Sequence, residues 1–259
     1  MKCMAAAMIA PLLFCASLSA SAQEAAGAKA QVRVEVRGNV RTPGQFNIPV
    51  GGRLADALIA ARPAPDAYLP GTMFLQEQAK GTQFRLRAGL AHDLAQLQRS
   101  ADADVQRAAG LLAQWLEDHE ATGRVRQSVD MRLIQVQPQS NPVLETGDAI
   151  VVPGRPQAIR VMGAVLTECR VQHEPLRDAK DYLRDCPTSA AADRNHVYVV
   201  QPDGFVQKLG IALWNRADPQ PIAPGGTLYV PLAESSASAV DEAFNSEFAA
   251  FIATQPITP

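Results

Sequence analysis

Aromatic side chains are scarce in this 259-residue chain, which holds two Trp, four Tyr and eight Phe. So few rings leave little material for a deep, extended groove lined by aromatic platforms. An excess of charge of one sign is missing too. Lys and Arg number 24 against 26 Asp and Glu, a formal net charge of −2, so the clustered basic surplus that holds a polyphosphate is absent and nucleic acid is excluded as a partner. Beyond the first 22 residues no apolar run approaches the ~18 residues of a spanning helix. Gly (17) and Pro (19) are near average, which excludes fibrous and disordered classes. There is no Gly-x-Ser-x-Gly elbow, His-Glu-x-x-His site, phosphate loop or dinucleotide fingerprint. What remains is a globular chain, 47% hydrophobic, long enough for two domains of ordinary size.

The start of the chain reads as a leader. Lys2 supplies a positive head, Met4 to Leu18 a short apolar run, and Ala20-Ser21-Ala22 a small-residue cleavage site before Gln23. A lipoprotein leader centred on Cys15 is the alternative, which the bulky Phe14 fits poorly. Cleavage after Ala22 removes Lys2, Cys3 and Cys15 and delivers the rest of the chain to the periplasm with a net charge of −3. Cys169 and Cys186 then remain, 17 positions apart, and in an oxidising compartment they are expected to form a disulfide.

The chain repeats itself. Val34-Glu35-Val36-Arg37-Gly38-Asn39-Val40 aligns with Ile159-Arg160-Val161-Met162-Gly163-Ala164-Val165, and the same offset of 125 pairs Phe46 with Val171, Asp56 with Asp181, Leu58 with Leu183, and residues 72–75 with 197–200. Gly147-Asp148-Ala149-Ile150-Val151-Val152-Pro153 aligns with Gly225-Gly226-Thr227-Leu228-Tyr229-Val230-Pro231 at an offset of 78. The difference of 47 is an insertion in the first copy. In the second copy residues 197–200 run into Pro202-Asp203-Gly204, a tight-turn signal. In the first, roughly residues 77–124 replace that turn. Leu86, Leu90, Leu94 and Leu97, then Val105, Ala109, Leu112, Trp115 and Leu116, fall at helical spacing, with a cap-like break at Ser100-Ala101-Asp102. A hairpin turn has become an antiparallel pair of helices, each burying its apolar stripe against its neighbour and the adjoining sheet.

Each copy reads strand, turn, strand, short helix and further strands. In the first, residues 32–40 alternate as a half-buried strand, Thr42-Pro43-Gly44 turns the chain, and residues 45–48 return. Leu54–Ala61 forms a helix stopped at Arg62-Pro63, and residues 132–136 and Ala149–Val152 complete the sheet. One helix on a small mixed sheet is an α+β arrangement. A final helix over residues 236–254 places Val240, Phe244, Phe248, Phe251 and Ile252 on one face. That face docks on the two domains or meets a partner. Its polar face carries acids without Lys or Arg, so an anionic membrane surface is disfavoured.

The opening Val34-Glu35-Val36-Arg37-Gly38-Asn39-Val40-Arg41-Thr42-Pro43-Gly44-Gln45-Phe46 resembles a soluble-ligand-binding β-grasp (SLBB) domain, and the Gly-Asp…Ile-Val-Val-Pro ending resembles its close. Two such domains, a helical hairpin inserted in the first and a terminal amphipathic helix together resemble the GfcC family of capsule biosynthesis proteins, over about residues 31–254. The resemblance implies a periplasmic protein with tandem β-grasp domains at 31–153 and 157–232, related in plan to outer-membrane polysaccharide export channels. The second copy departs from the pattern, with Thr167-Glu168-Cys169 in place of the Pro-Gly turn. No polysaccharide-export motif region precedes Gln31, and the terminal helix is short and acidic. These departures favour a soluble, non-enzymatic accessory protein without a cofactor, acting on a polysaccharide or on capsule assembly and export proteins. A polysaccharide-modifying enzyme, or a structural component donating its terminal helix to an export complex, stands as the alternative.

For site residues, Thr122-Gly123-Arg124 lies where the inserted helices rejoin the sheet, and Gly123 permits a close backbone approach there. The GfcC resemblance implies an Arg at a cavity near those helices, and Arg124 matches it best, with Arg126 beside it. A guanidinium fork in a cavity suits a carboxylate, a phosphate or a group of sugar hydroxyls; the same Arg can instead bond carbonyls at the helix end. Of His92, His119, His173 and His196, only His119 sits in a run of potential metal ligands, Glu117-Asp118-His119-Glu120. Adjacent helical positions diverge, so that run is read as a solvated helix end with no metal. Asp56 and Asp181, in separate repeats, are expected to cap or flank helices, so no catalytic pair is assigned.

Overall fold

A computed structural model of the protein describes residues 30–257. The leader assigned to residues 1–22, with Cys3 and Cys15, lies outside the described residues. The first repeat comprises β1 (Gln31–Gly38), β2 (Gly44–Pro49), α1 (Leu54–Ala61), β3 (Met73–Leu75), α2 (Glu77–Leu97), α3 (Ala103–Glu117), β4 (Arg124–Val125), α4 (Met131–Ile134) and β5 (Ala149–Val152). The second comprises β6 (Ala158–Gly163), β7 (Cys169–Gln172), a 3-10 helix at Ala179–Arg184, β8 (His196–Val200), β9 (Val206–Gly210) and β10 (Thr227–Val230). Two short helices close the chain, α5 (Glu234–Ala237) and α6 (Phe244–Ala253). The fold is α+β, with two tandem five-stranded mixed sheets ordered β2-β1-β5-β3-β4 and β7-β6-β10-β8-β9, the strand order of a β-grasp.

The registers repeat as the two offsets require. Val36 pairs with Gly44 and Ile150, and Val161 with Cys169 and Leu228; Phe74 faces Ile150 as Val199 faces Leu228. One glycine is obligatory in both copies. Gly38 and Gly163 have φ of +92° and +107°, and a Cβ at either would stand 2.2 or 2.1 Å from the carbonyl oxygen of Val152 or Val230.

Local chemistry sets the helix limits. The Asp56 carboxylate accepts from the Arg53 N–H at 2.8 Å to open α1, and Arg62, in the left-handed region at φ 54°, closes it before Pro63. Asp102 accepts from the Asp104 and Val105 N–H groups to open α3 at the expected break. Asp181 lies in the first turn of the second repeat's helix and pairs with Arg184 at 3.3 Å.

Two apolar cores form. The smaller joins α1 to the first sheet through Val34, Val36, Leu54, Leu58 and Ile150. The larger unites the second sheet with α2, α3 and α6: Leu90, Leu94, Leu112 and Leu116 are buried with Met162, Tyr198, Tyr229 and Phe248. The inserted hairpin thus leaves the first sheet between β3 and β4 and packs on the sheet of the other repeat. Phe248 stacks on Tyr229 at 5.3 Å and lies 5.6 Å from Trp115.

Three sequence expectations change. Residues 132–136 do not form a strand: Asp130 accepts from the Arg132 N–H, Met131–Ile134 coils into α4, and the edge of the sheet is β4. The 47-residue difference also divides. Val125 and Gln207 occupy the same register position, 82 apart, so the hairpin accounts for 43 residues and the β4–β5 connection for four. The terminal helix is not continuous over 236–254, because the chain breaks after α5 and Asp241 accepts from the Ala243 N–H just before α6.

Candidate functional site

β4 is only two residues long, yet Arg124 on it touches three parts of the chain. Gly123, at φ +80°, brings the backbone so close to Gln76 that a Cβ would lie 2.4 Å from its carbonyl oxygen, so the sequence-based reading of this glycine holds. Gln83 of α2 clips the strand: its amide donates to the Arg124 carbonyl at 2.7 Å and accepts from the Gly123 N–H at 2.7 Å. The Arg124 side chain then runs inward, and the residue is 4% exposed. Its guanidinium donates to the Gln255 carbonyl at 2.7 Å and to the Pro202 carbonyl, while Nε has no partner. Burial draws its pKa down to about 10, opposed by the nearby Asp203 charge, so it stays charged at neutral pH.

Arg124 forms one wall of a narrow cleft shared with Arg160, Arg170, Gln201, Thr227 and Gln255. The space inside is about 40 Å³, room for little more than one water molecule. Arg160 and Arg170 are direct cross-strand partners on β6 and β7, an arrangement that like charges disfavour without a compensating anion. Glu168 pairs with Arg160 at 3.2 Å. Among the described residues the polar lining of the cleft is guanidinium, amide and hydroxyl groups. Arg126 does not join it: that side chain is exposed and lies over the Phe205 ring at 4.3 Å.

Two matches with protein families cover most of the chain. Residues 28–155 match "Capsule biosynthesis GfcC, N-terminal" and residues 167–256 match "Capsule biosynthesis GfcC C-terminal". The chain belongs to the GfcC family. It is 30% identical over 182 residues to YjbG of Escherichia coli strain K12, described as an uncharacterized protein, covering 70% of this chain and 74% of the relative. Membership brings a role in capsule biosynthesis. The two GfcC matches are separated by residues 156–166, which carry β6, the first strand of the second sheet.

The remaining sequence-derived residues of this GfcC protein separate by environment. Cys169 and Cys186 form the expected disulfide, with Cα atoms 5.9 Å apart. Phe244, Phe248, Phe251 and Ile252, the stripe expected either to dock on the two domains or to meet a partner helix, are buried in the chain's own larger core, with Val240 packed at its margin. Asn245 locks α6 in place by pairing with both backbone groups of Leu232, so the stripe is covered internally. No described helix is long and apolar enough to cross a membrane.

His119 stacks on Trp115 at 4.0 Å and its Nδ1 meets the Trp115 carbonyl at 2.6 Å, consistent with the run around it being a helix end. A group missed by sequence reasoning is Asp193, His196 and Glu234, whose ligand-type atoms lie within 4.8 Å of one another. Only the Asp193-x-x-His196 spacing is visible in sequence; Glu234 arrives from α5. The Asn215 amide is oriented by two backbone groups, accepting from the Ala212 N–H and donating to the Asn195 carbonyl. Its NH₂ therefore also donates to His196 Nε2 at 3.0 Å, which places the proton of the neutral ring on Nδ1, facing Asp193 at 3.8 Å. A metal at Nδ1 would require that amide to turn over and lose both backbone bonds, so the group does not fit a preformed metal site.

Proposed function

We propose that this GfcC-family protein is a non-enzymatic accessory factor of capsule or exopolysaccharide assembly or export, acting in the periplasm after removal of residues 1–22. It binds a glycan segment or a component of the assembly machinery. The observation that carries this reading is the match to the capsule biosynthesis family along both repeats. The cleft adds guanidinium and amide donors that suit a polar ligand. In this reading the Nε–H of Arg124 is a donor inside the cleft, and Arg126, outside the cleft and over the Phe205 ring, presents a separate donor fork to a carboxylate, phosphate or hydroxyl cluster.

Deleting the gene and measuring extracellular polysaccharide tests the role. Loss of polymer from the cell surface, with sugar-nucleotide incorporation by membrane extracts unchanged, is the expected result, together with failure of an Arg126→Ala variant to restore it fully. Normal surface polymer in the deletion strain overturns the proposal. So does turnover of the purified polymer by the purified protein, abolished by one carboxylate substitution.

A further inference from the structure

The second repeat carries an open groove on the face that its short helix covers only in part. In the first, two turns of α1 cover the sheet and Leu58 is fully buried. In the second, the shorter 3-10 helix leaves the equivalent Leu183 partly exposed, and it lines a groove of about 480 Å³ with Val197, Ile211 and Val230. Such a volume is typical of sites for small organic ligands. Its polar wall is the segment after Cys186, including Ser189, Asp193 and Arg194. That wall is anchored by the disulfide and by the Ser189 N–H donating to the Ala164 carbonyl at 2.9 Å.

Two polar atoms in this region are buried without a hydrogen-bond partner: Ser189 Oγ, on the groove wall, and His196 Nδ1. Each such group normally finds a partner, because leaving it unpaired costs about 1–3 kcal/mol. Beside His196 and outside the groove's lining, Trp214 is 75% exposed and yet fixed. Its indole N–H donates to Asn195 Oδ1 at 3.2 Å, its ring stands edge-on to His196 at 88°, and the next residue, Asn215, ties the loop down. Asn195 directly follows the groove-lining Arg194. With its N–H already bonded, the ring offers only its faces to a ligand.

Resting on the capsule reading above, we propose that this groove binds a saccharide unit of the polymer, with Trp214 as the stacking platform and Ser189 and His196 as hydroxyl partners. A sugar ring has an apolar C–H face for the indole and hydroxyls for the orphaned groups. A lipid surface fits less well, because exposed Arg194, Arg216 and Lys208 are balanced by Asp193, Asp218 and Glu234 and no basic excess exists. A protein interface of ordinary size needs about 800 Å² per partner, whereas the large apolar side chains standing exposed on this loop are Trp214 and its neighbour Leu213.

The test uses the full mature chain and short oligosaccharides cut from the surface polysaccharide of the producing strain, with dextran oligomers as the neutral control. Trp115 is buried, so acrylamide quenching reports on Trp214. The oligosaccharides are expected to shield Trp214, and Trp214→Ala to weaken binding measured by calorimetry at least about tenfold. Ser189→Ala should weaken it severalfold with an unchanged melting temperature, and Trp214→Phe should retain most of it. Binding lost in Arg126→Ala but intact in Trp214→Ala overturns this site and leaves the accessory role standing; no binding by the unaltered protein also overturns this site, and the accessory role then rests on the gene-deletion result. Shielding produced only by anionic vesicles, or only by raising the protein concentration, overturns the saccharide assignment in favour of a lipid or a second copy.

Discussion

The guanidinium of Arg124 donates to the carbonyl of Pro202, joining the short edge strand of the first repeat to the hairpin turn of the second. Its other terminal nitrogen holds Gln255, just beyond α6. One side chain thus fastens both repeats and the chain terminus. Arg124→Ala would strand two carbonyls in a buried junction and is expected to lower unfolding free energy by roughly 3 kcal/mol in urea titration. Arg126→Ala, which removes an exposed ring contact, should change it by less than about 1 kcal/mol.

The Cys169–Cys186 disulfide closes a loop of 17 positions. In the chain-entropy treatment a bridge of that span contributes about 3 kcal/mol. Replacing both cysteines with Ala should lower the melting temperature by several degrees, and dithiothreitol should produce a matching fall in the unaltered protein but not in the double variant.

Leu112 comes from the insertion in the first repeat yet is buried on the sheet of the second. Leu112→Ala is expected to cost about 3 kcal/mol. Because the cavity lies at the junction of both repeats, fluorescence and circular dichroism should still report one coincident unfolding transition, shifted to lower urea. Two separated transitions would contradict this packing.

Asp148 is buried, and loss of hydration holds its carboxyl above the ordinary carboxylate range, opposed by the N–H of Glu145 donating to it at 2.9 Å. The folded protein therefore holds this proton more tightly than the unfolded chain. Its contribution to stability is greatest below the ordinary value near 4 and declines as pH rises through the folded-state pKa. Asp148→Asn should match or exceed the parent by up to about 1 kcal/mol at pH 7, with the difference closing at pH 3.

Much of the fold was legible because repetition supplies an internal reference. The offsets of 125 and 78 anticipated the ladder partners of Val36 and Val161, since a one-residue slip in either copy would turn its buried Val toward solvent. The helical spacing of Leu90, Leu94 and Leu112 announced the inserted pair, but periodicity marks a buried face without saying what covers it, and the sheet of the second repeat could not be inferred. The same gap applies to Phe244 and Phe248, whose cover is internal. Residues 132–136 misled because three apolar positions, Leu133, Ile134 and Val136, suit a strand, whereas the Asp130 cap is a stronger local signal. Arg124 was found at the junction where the glycine pointed. Asp193 and His196 are neighbours in sequence, whereas Trp214 reaches His196 from a separate loop, and no local spacing encodes that meeting.

The crossing of the inserted helices onto the neighbouring sheet makes the two halves of the gene interdependent. Severed in the link at 154–156, the downstream fragment would lack the Leu90, Leu94 and Leu116 side chains that complete its interior, and the upstream fragment would display them to solvent. Neither half is then a transplantable module, and the pair should regain solubility only when produced together.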